Sequence, residues 1–181
     1  GATQAIFCAI QAAIGPGDEA VLLDPAYDSY APSVELAGGV ARFVRLTRPG
    51  FGIDWPALAG ALTPRTRLVV INSPHNPSGA LIPRGDLDRL AELLRPTPAL
   101  VLADEVYEHL VYDGLAHASV LAQPELRSRA FAVFSFGKTF NATGWKIGYC
   151  VAPPVLTQAF RRIHQYVTFA VNAPAQHALA D

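Results

Sequence analysis

Two lysines lie close together in the segment SFGKTFNATGWKIG, which covers residues 135–148. Lys138 comes three residues after Ser135, just beyond the apolar run AFAVF, and Lys146 follows eight residues later. Small and aromatic residues surround both lysines, and no run of charged residues is nearby. Two interpretations are open: a loop with solvated lysines, or an amine placed at the end of a buried strand for covalent chemistry.

Other polar residues also follow apolar runs. Asp104 ends the run ALVLAD, with Tyr107 three residues later, while Asn76 lies in the loop SPHNPSG and Tyr27 in DPAYDSY. Each has a plain structural explanation when taken alone, as a helix cap, a turn residue or a core aromatic. A buried carboxylate, however, is costly unless it meets a cation or strong donors. Asp104 therefore also indicates a binding site for a positively charged group.

The elements that must position these residues alternate between strands and helices. Runs of strand length occur at VLLD, VARFVRL, TRLVVIN, ALVLAD, RAFAVFSF and GYCVAP, and helical patterns lie between most of them. In DWPALAGAL, Asp54 and Pro56 are typical of a helix start. This alternation predicts an α/β domain with a mainly parallel sheet flanked by helices. Such sheets bind ligands at the carboxyl ends of their strands, where the polar residues cluster: Asp24, 72–76, 104–107 and 135–138.

Composition excludes several classes of function. The formal net charge is −1, which favours neither nucleic acid nor an anionic membrane as a partner. No apolar stretch is long enough to cross a bilayer. Cys8 and Cys150 both lie in apolar runs, so we expect buried free thiols and a reducing, cytoplasmic environment. The five histidines lack metal-ligand spacing, so we expect no metal site.

The ends of the sequence suggest one domain of a longer protein. Residues near both ends follow helical patterns, and the sequence contains no methionine. We therefore expect residues 1–181 to be a single domain excised from a longer chain.

One type of chemistry needs this set of polar residues. A pyridine aldehyde cofactor requires an amine for a Schiff base, a carboxylate for its ring nitrogen, donors to its phenolate oxygen and a phosphate cradle. The segments NPSG, DEVY and SFGKTF…GWKIGY resemble the signature segments of the class I/II aminotransferases of fold type I, which use pyridoxal 5′-phosphate. The resemblance covers essentially the whole chain and implies the large cofactor-binding domain. DPAYDSYAP and DEVYEHLVYDG are most similar to methionine aminotransferases and to the kynurenine aminotransferase group.

The resemblance implies a role for each of the two lysines, Lys138 and Lys146. Lys138 would form the Schiff base and, once freed, carry a proton between the substrate Cα and the cofactor. Ser135 and Lys146 would bind the phosphate, together with the backbone N–H groups of Ala2 and Thr3 at the start of the first helix. Many relatives carry arginine where this chain has Lys146, and lysine supplies the charge without the bidentate fork.

The remaining implied roles concern the cofactor ring. Asp104 would pair with the pyridine nitrogen and keep it protonated. Asn76 and Tyr107 would donate hydrogen bonds to the phenolate oxygen. Tyr27 would stack on the ring face, contributing about 1 kcal/mol beyond area burial.

The function that follows from the resemblance is transamination between an amino acid, of methionine, aromatic or kynurenine type, and a 2-oxo acid, in a homodimer. One alternative is β-elimination from cysteine conjugates, which shares the early steps. A second is a non-catalytic aminotransferase-like module, as in some transcription regulators, although no DNA-binding segment is present. A third is an inert fragment, because the arginine that binds the substrate carboxylate is expected beyond Asp181.

Overall fold

The computed structural model describes all residues 1–181 and contains six strands, eight α-helices and two short 3₁₀ turns. The strands are β1 (Glu19–Asp24), β2 (Val40–Arg45), β3 (Thr66–Asn72), β4 (Leu100–Asp104), β5 (Ala130–Ser135) and β6 (Gly148–Val151). The helices are α1 (Ala2–Ala13), α2 (Tyr30–Leu36), α3 (Trp55–Ala61), α4 (Arg84–Leu94), α5 (Pro124–Arg127), α6 (Phe136–Thr139), α7 (Pro154–Val167) and α8 (Ala173–Ala180). The 3₁₀ turns cover Val120–Ala122 and Thr143–Trp145.

All six strands form one sheet in the order β2-β1-β3-β4-β5-β6. The first five are parallel, and β6 alone runs antiparallel, against β5. The predicted fold class is therefore confirmed. From β1 the chain passes to β2 on one side, and β3 lies on the other. Such a reversal opens a crevice at the carboxyl ends of the strands, where α/β proteins bind their ligands.

Helices cover both faces of the sheet because alternate strand residues are apolar in both directions. In β1, Val21 and Leu23 belong to a buried cluster with Leu58 of α3 and Leu87 of α4. Ala20 and Leu22 belong to a second cluster that includes residues of α1 and α2. The result is three layers, and the central strands β1, β3, β4 and β5 read as nearly continuous apolar runs because both of their faces are covered.

Helix signals in the sequence have the expected structural basis. The carboxylate of Asp54 accepts a hydrogen bond of 3.0 Å from the backbone N–H of Ala57 and caps α3. In α4 the leucines at 87, 90 and 94 are buried, whereas Leu93 is only partly buried. The apolar stripe of α4 is thus fixed against the sheet.

The start of α1 reaches the carboxyl edge of the sheet through close backbone packing at Gly148. A Cβ on Gly148 would lie 2.6 Å from the carbonyl oxygen of Phe134 and 3.0 Å from the backbone nitrogen of Ala2. A side chain there would push the first turn of α1 away from β6, so glycine is required for this approach.

Cys8 is fully buried, as predicted, but Cys150 is only partly buried, and neither forms a disulfide. The difference arises because β6 is an edge strand with one flank unpaired. No helix combines the length and the apolar composition needed to span a membrane.

Candidate active site

A cavity of about 150 Å³ lies at the carboxyl edge of the sheet and is lined by 15 residues. The structure brings all nine residues that the sequence singled out to this one cavity: Ala2, Thr3, Tyr27, Asn76, Asp104, Tyr107, Ser135, Lys138 and Lys146. They come from α1, from the segments after β1, β3 and β4, from β5 with α6, and from the loop before β6. Strand ends that are distant in sequence meet here because the strands are parallel.

Asp104 is the last residue of β4 and only 4% exposed. Its Oδ2 accepts a hydrogen bond of 2.5 Å from the hydroxyl of Tyr30, and its Oδ1 accepts one of 3.3 Å from the N–H of Val106. No Lys, Arg or His side chain forms an ion pair with it. Burial raises the pKa of Asp104 to about 6, against the lowering effect of the bonds from Tyr30 and Val106. The carboxylate is thus desolvated and lacks a cation.

Asn72, the last residue of β3, connects two parts of the cavity wall. Its Nδ2 donates a hydrogen bond of 2.8 Å to the carbonyl of Asp104, and its Oδ1 accepts one of 2.7 Å from the backbone N–H of Asn76. Both groups are backbone atoms of cavity residues, so Asn72 sets the relative position of the β3 loop and the end of β4.

Lys138 lies in α6, a single helical turn that starts directly after β5. Its Nζ is 5.5 Å from the centroid of the Tyr107 ring, and no acidic side chain pairs with it. A Cβ on Gly137 would lie 2.9 Å from the Cα of Thr143, so the chain after β5 folds back tightly on itself. This turn holds the amine of Lys138 at the cavity.

Lys146 directly follows the 3₁₀ turn Thr143–Trp145 and has left-handed backbone angles, φ 58° and ψ 41°. Non-glycine residues adopt this conformation at a cost and often at functional sites. A Cβ on Gly1 would lie 3.2 Å from the carbonyl carbon of Lys146, which places Lys146 beside the start of α1. The first N–H groups of a helix have no intrahelical acceptor and carry the positive end of the helix dipole. Together with Ser135, this region suits an anion.

Lys138 and Lys146 are the only two lysines of the chain, and both line the cavity. All twelve other basic residues are arginines, and none of them lines it. Lys138 is partly buried in α6, so the solvated-loop interpretation does not describe it, whereas Lys146 is an exposed loop residue at the rim of the cavity.

Sequence reasoning did not single out Tyr30 and gave no role to Asn72. Tyr30 is 2% exposed, and its ring meets that of Tyr27 edge-on with centroids 5.7 Å apart. Tyr27 lies outside α2, which begins at Tyr30, so helical spacing does not relate the two tyrosines and no local signal marks Tyr30.

Other conspicuous residues lie outside the cavity. His75 is buried, with Nδ1 2.7 Å from Ser78 Oγ and Nε2 2.8 Å from the carbonyl of Pro25, which agrees with a structural histidine. Trp145 is 65% exposed and is the last residue of the 3₁₀ turn Thr143–Trp145. Arg161 and Arg162 lie on an exposed face of α7.

Chemically, the cavity can receive a ligand that is cationic at one end and anionic at the other. The Asp104 carboxylate suits a protonated ring nitrogen, and Lys146 with the start of α1 suits a phosphate or carboxylate. The amine of Lys138 is available for a carbonyl carbon.

Comparison with known proteins identifies relatives along the whole chain. The family model described as aminotransferase class I and II matches residues 1–181. Methionine aminotransferase of Escherichia coli K12 is 50% identical over 181 residues, which are 100% of this chain and 47% of that protein. A probable N-succinyldiaminopimelate aminotransferase of Mycobacterium tuberculosis is 42% identical over 99% of this chain and 46% of that protein.

A solved structure agrees with the sequence matches. The crystal structure of Escherichia coli YbdL, for which a methionine aminotransferase function was identified, superposes with a TM-score of 0.98 at 50% identity. The match covers 100% of this chain and 48% of that one. The chain therefore spans about half the length of the relatives it matches.

Proposed function

The chain belongs to the class I and II aminotransferase family, and on that basis we propose that residues 1–181 form the large cofactor-binding domain of a pyridoxal 5′-phosphate-dependent transaminase. The proposed reaction moves an amino group between an amino acid and a 2-oxo acid. One observation carries the proposal: a single cavity is lined by the Lys138 amine, the buried Asp104 carboxylate and a cationic cradle beside Lys146.

The residues present fit this cofactor on their own chemistry. Asp104 is desolvated without a cationic partner, and a protonated pyridine nitrogen would supply one. Lys138 and Lys146 have no acidic partner, and the first amides of α1 have no intrahelical acceptor, so an anionic phosphate has matching groups. The cavity thus offers opposite charges to the two ends of the cofactor.

Each cavity residue has a proposed task in holding the group. Asp104 would bind the ring nitrogen, and Asn76 with Tyr107 would donate to the phenolate oxygen. Tyr27 would pack on the ring. When bound, the cofactor supplies an electron-accepting ring that stabilises negative charge at the α carbon of the amino acid.

At the phosphate end, the hydroxyl of Ser135 and the amine of Lys146 would donate hydrogen bonds. The backbone N–H groups of Ala2 and Thr3 would add two more donors and the helix dipole.

Lys138 would do the chemistry of this chain. Its amine would bind the carbonyl carbon of the cofactor in the resting protein and, when the amino acid replaces it, would take the proton from the α carbon. Its position one turn after β5 limits its travel, because the tight fold-back at Gly137 anchors the turn. Such positioning converts proton transfer into a step within one complex.

No arginine lines the cavity, so we propose that the group binding the substrate carboxylate is contributed by residues other than these 181. The proposed amino donors are of methionine, aromatic or kynurenine type, and the protein is proposed to be a cytoplasmic homodimer. The 50% identity to a methionine aminotransferase supports methionine most directly. The two relatives described above, from Escherichia coli and Mycobacterium tuberculosis, are both named as aminotransferases. β-Elimination and a non-catalytic module are therefore not favoured.

The test uses the full protein that contains this chain, loaded with pyridoxal 5′-phosphate. A panel of methionine, phenylalanine, tyrosine, kynurenine and N-succinyldiaminopimelate is assayed against several 2-oxo acids by measuring the product oxo acid. A cysteine conjugate is included to detect elimination. We expect transfer from at least one donor by the wild type and none by Lys138→Ala.

Borohydride reduction followed by peptide mapping gives an independent readout. The cofactor should be found attached at Lys138, and Lys146→Gln, the matched lysine control, should keep that attachment at saturating cofactor. Turnover by Lys138→Ala, or attachment at a lysine other than Lys138, would show that the proposed role is wrong.

A further inference from the structure

We propose that Tyr30 is a positioning residue that keeps the Asp104 carboxylate ionised and directed into the cavity. This inference deepens the proposed function and rests on it, since it assigns Asp104 to the ring nitrogen of the cofactor. Tyr30 does not line the cavity and lies 74 positions before Asp104 in the sequence.

The geometry restricts what the Tyr30 hydroxyl can do. The side chain is 2% exposed, and the hydroxyl makes a hydrogen bond of 2.5 Å to Oδ2 of Asp104, a length typical of a donor facing a charged oxygen. The ring is held edge-on by Tyr27 and belongs to the buried cluster that includes Val34. Because α2 starts at Tyr30, the backbone is fixed as well.

The bond favours the ionised carboxylate over the protonated one. A phenol hydrogen pointing at Oδ2 is matched to a negative oxygen, whereas a protonated carboxyl would bring a competing hydrogen. Burial raises the pKa of Asp104, and the hydrogen bond from Tyr30 is the largest of the effects that oppose this rise. The backbone N–H of Val106 lies farther away, at 3.3 Å, and makes a smaller contribution.

Tyr30 also stays a donor throughout the neutral range. Burial, followed by the charge of Asp104, raises the pKa of its phenol well above the ordinary value. The other ionisable groups that act on the pair are Glu105 after β4, Lys138 in α6, and the phenols of Tyr27 and Tyr107. None of these four forms a hydrogen bond to the Asp104 carboxylate, so Tyr30 is the only side chain that does.

The first arm of the test measures Asp104 directly in the full protein without cofactor. Carboxyl ¹³C resonances of labelled aspartate are titrated with pH, and the Asp104 signal is assigned by its loss in Asp104→Asn. Tyr30→Phe removes only the hydroxyl, and we expect Asp104 to titrate about one to two pH units higher than in the wild type. The control Tyr112→Phe, at a tyrosine that is 70% exposed, should leave the titration unchanged. An unchanged Asp104 titration in Tyr30→Phe overturns the proposal.

The second arm measures the affinity for pyridoxal 5′-phosphate in a double-mutant cycle. Tyr30→Phe should weaken binding most at pH values between the two Asp104 titration midpoints, and should have no further effect in the Asp104→Asn background. Equal weakening in both backgrounds would mean that the Tyr30 hydroxyl acts independently of the Asp104 carboxylate, which overturns the proposal. If the wild type binds no cofactor, the proposed function fails, while the first arm still decides the role of Tyr30.

A further measurement covers the case in which Tyr30→Phe does not fold. Ionisation of Tyr30 is then followed by ultraviolet absorbance in the wild type and in Asp104→Asn. Tyr30 should ionise at lower pH once the facing charge is gone, and an unchanged ionisation contradicts the inferred coupling.

Discussion

Asn72 and Asp104 are the last residues of the adjacent strands β3 and β4, and they lie side by side in the parallel register. The amide of Asn72 donates to the main-chain carbonyl of Asp104 at 2.8 Å, while its oxygen accepts the N–H of Asn76 at 2.7 Å. One side chain thereby aligns two backbone segments whose side chains reach the cavity. The position of Asn76 relative to Asp104 is set by this bridge.

Removing the bridge should affect both stability and binding. In Asn72→Ala the partly buried Asn76 N–H loses its partner, and the main-chain carbonyl of Asp104 keeps only the Ser73 N–H at 3.1 Å. We expect the free energy of unfolding to fall by roughly 2–4 kcal/mol, with weaker binding of pyridoxal 5′-phosphate. Urea denaturation and cofactor titration check this, with the exposed Gln158→Ala as control. A stable variant with wild-type affinity would mean that the bridge has no such role.

The raised pKa of Asp104 predicts a specific pH dependence of the cofactor-free protein. The folded-state pKa, about 6, lies above the ordinary value of 3.8, so the folded protein binds this proton more tightly than the unfolded chain. The stabilisation is complete below the ordinary pKa and is lost as the pH rises through 6. Between pH 4 and 7 it accounts for a fall of roughly 2 kcal/mol in the free energy of unfolding. Asp104→Asn should lack this fall, and parallel stability profiles for the two proteins would contradict the prediction.

Lys146 should act on the phosphate and not on the ring. In Lys146→Gln the loss of one charge-assisted contact should weaken binding of pyridoxal 5′-phosphate by about 10- to 100-fold. Pyridoxal, which lacks the phosphate, provides the matched ligand control and should bind both proteins equally. Fluorescence or absorbance titration measures both affinities. An equal loss for the two ligands would indicate that the substitution perturbs the turn as a whole.

The contact between Glu105 and His117 should contribute to the folding stability of the protein. Glu105 is 2% exposed, and its carboxylate meets His117 Nε2 at 2.8 Å and the Val120 N–H at 2.9 Å. His117→Ala removes the side-chain hydrogen-bond partner of a buried carboxylate, which should destabilise the protein by about 1–3 kcal/mol. His109→Ala is the control, since His109 is exposed and its pairing with Glu108, at 3.7 Å, should contribute less than about 1 kcal/mol. Similar unfolding midpoints for the two variants would contradict this account.

The strands of the sheet and the residues around the cavity could be predicted from the sequence, because both depend on local patterns. Apolar runs identified each strand, and polar residues at their ends marked the edge where parallel strands converge. The burial of Asp104 followed in the same way from its position after ALVLA.

The contacts behind the cavity could not be predicted in this way. The bond between Tyr30 and Asp104 depends on how α2 packs on the sheet, and nothing local to either residue specifies that packing. The left-handed backbone at Lys146 is also not specified by local patterns, because lysine rarely adopts this conformation. Long-range packing and unusual backbone angles are the parts that local patterns leave open.

The wide sequence separation of the cavity residues has a consequence for the order of folding. The cavity joins Ala2 and Thr3 to Lys138 and Lys146, so residues from nearly the whole sequence must meet before it exists. Contacts of such high sequence separation form late, since the loops between them must close first. During synthesis, β1 to β4 leave the ribosome before the lysines do. Capture of a cofactor therefore marks the completion of folding, and in refolding experiments it should lag behind the recovery of helical circular dichroism.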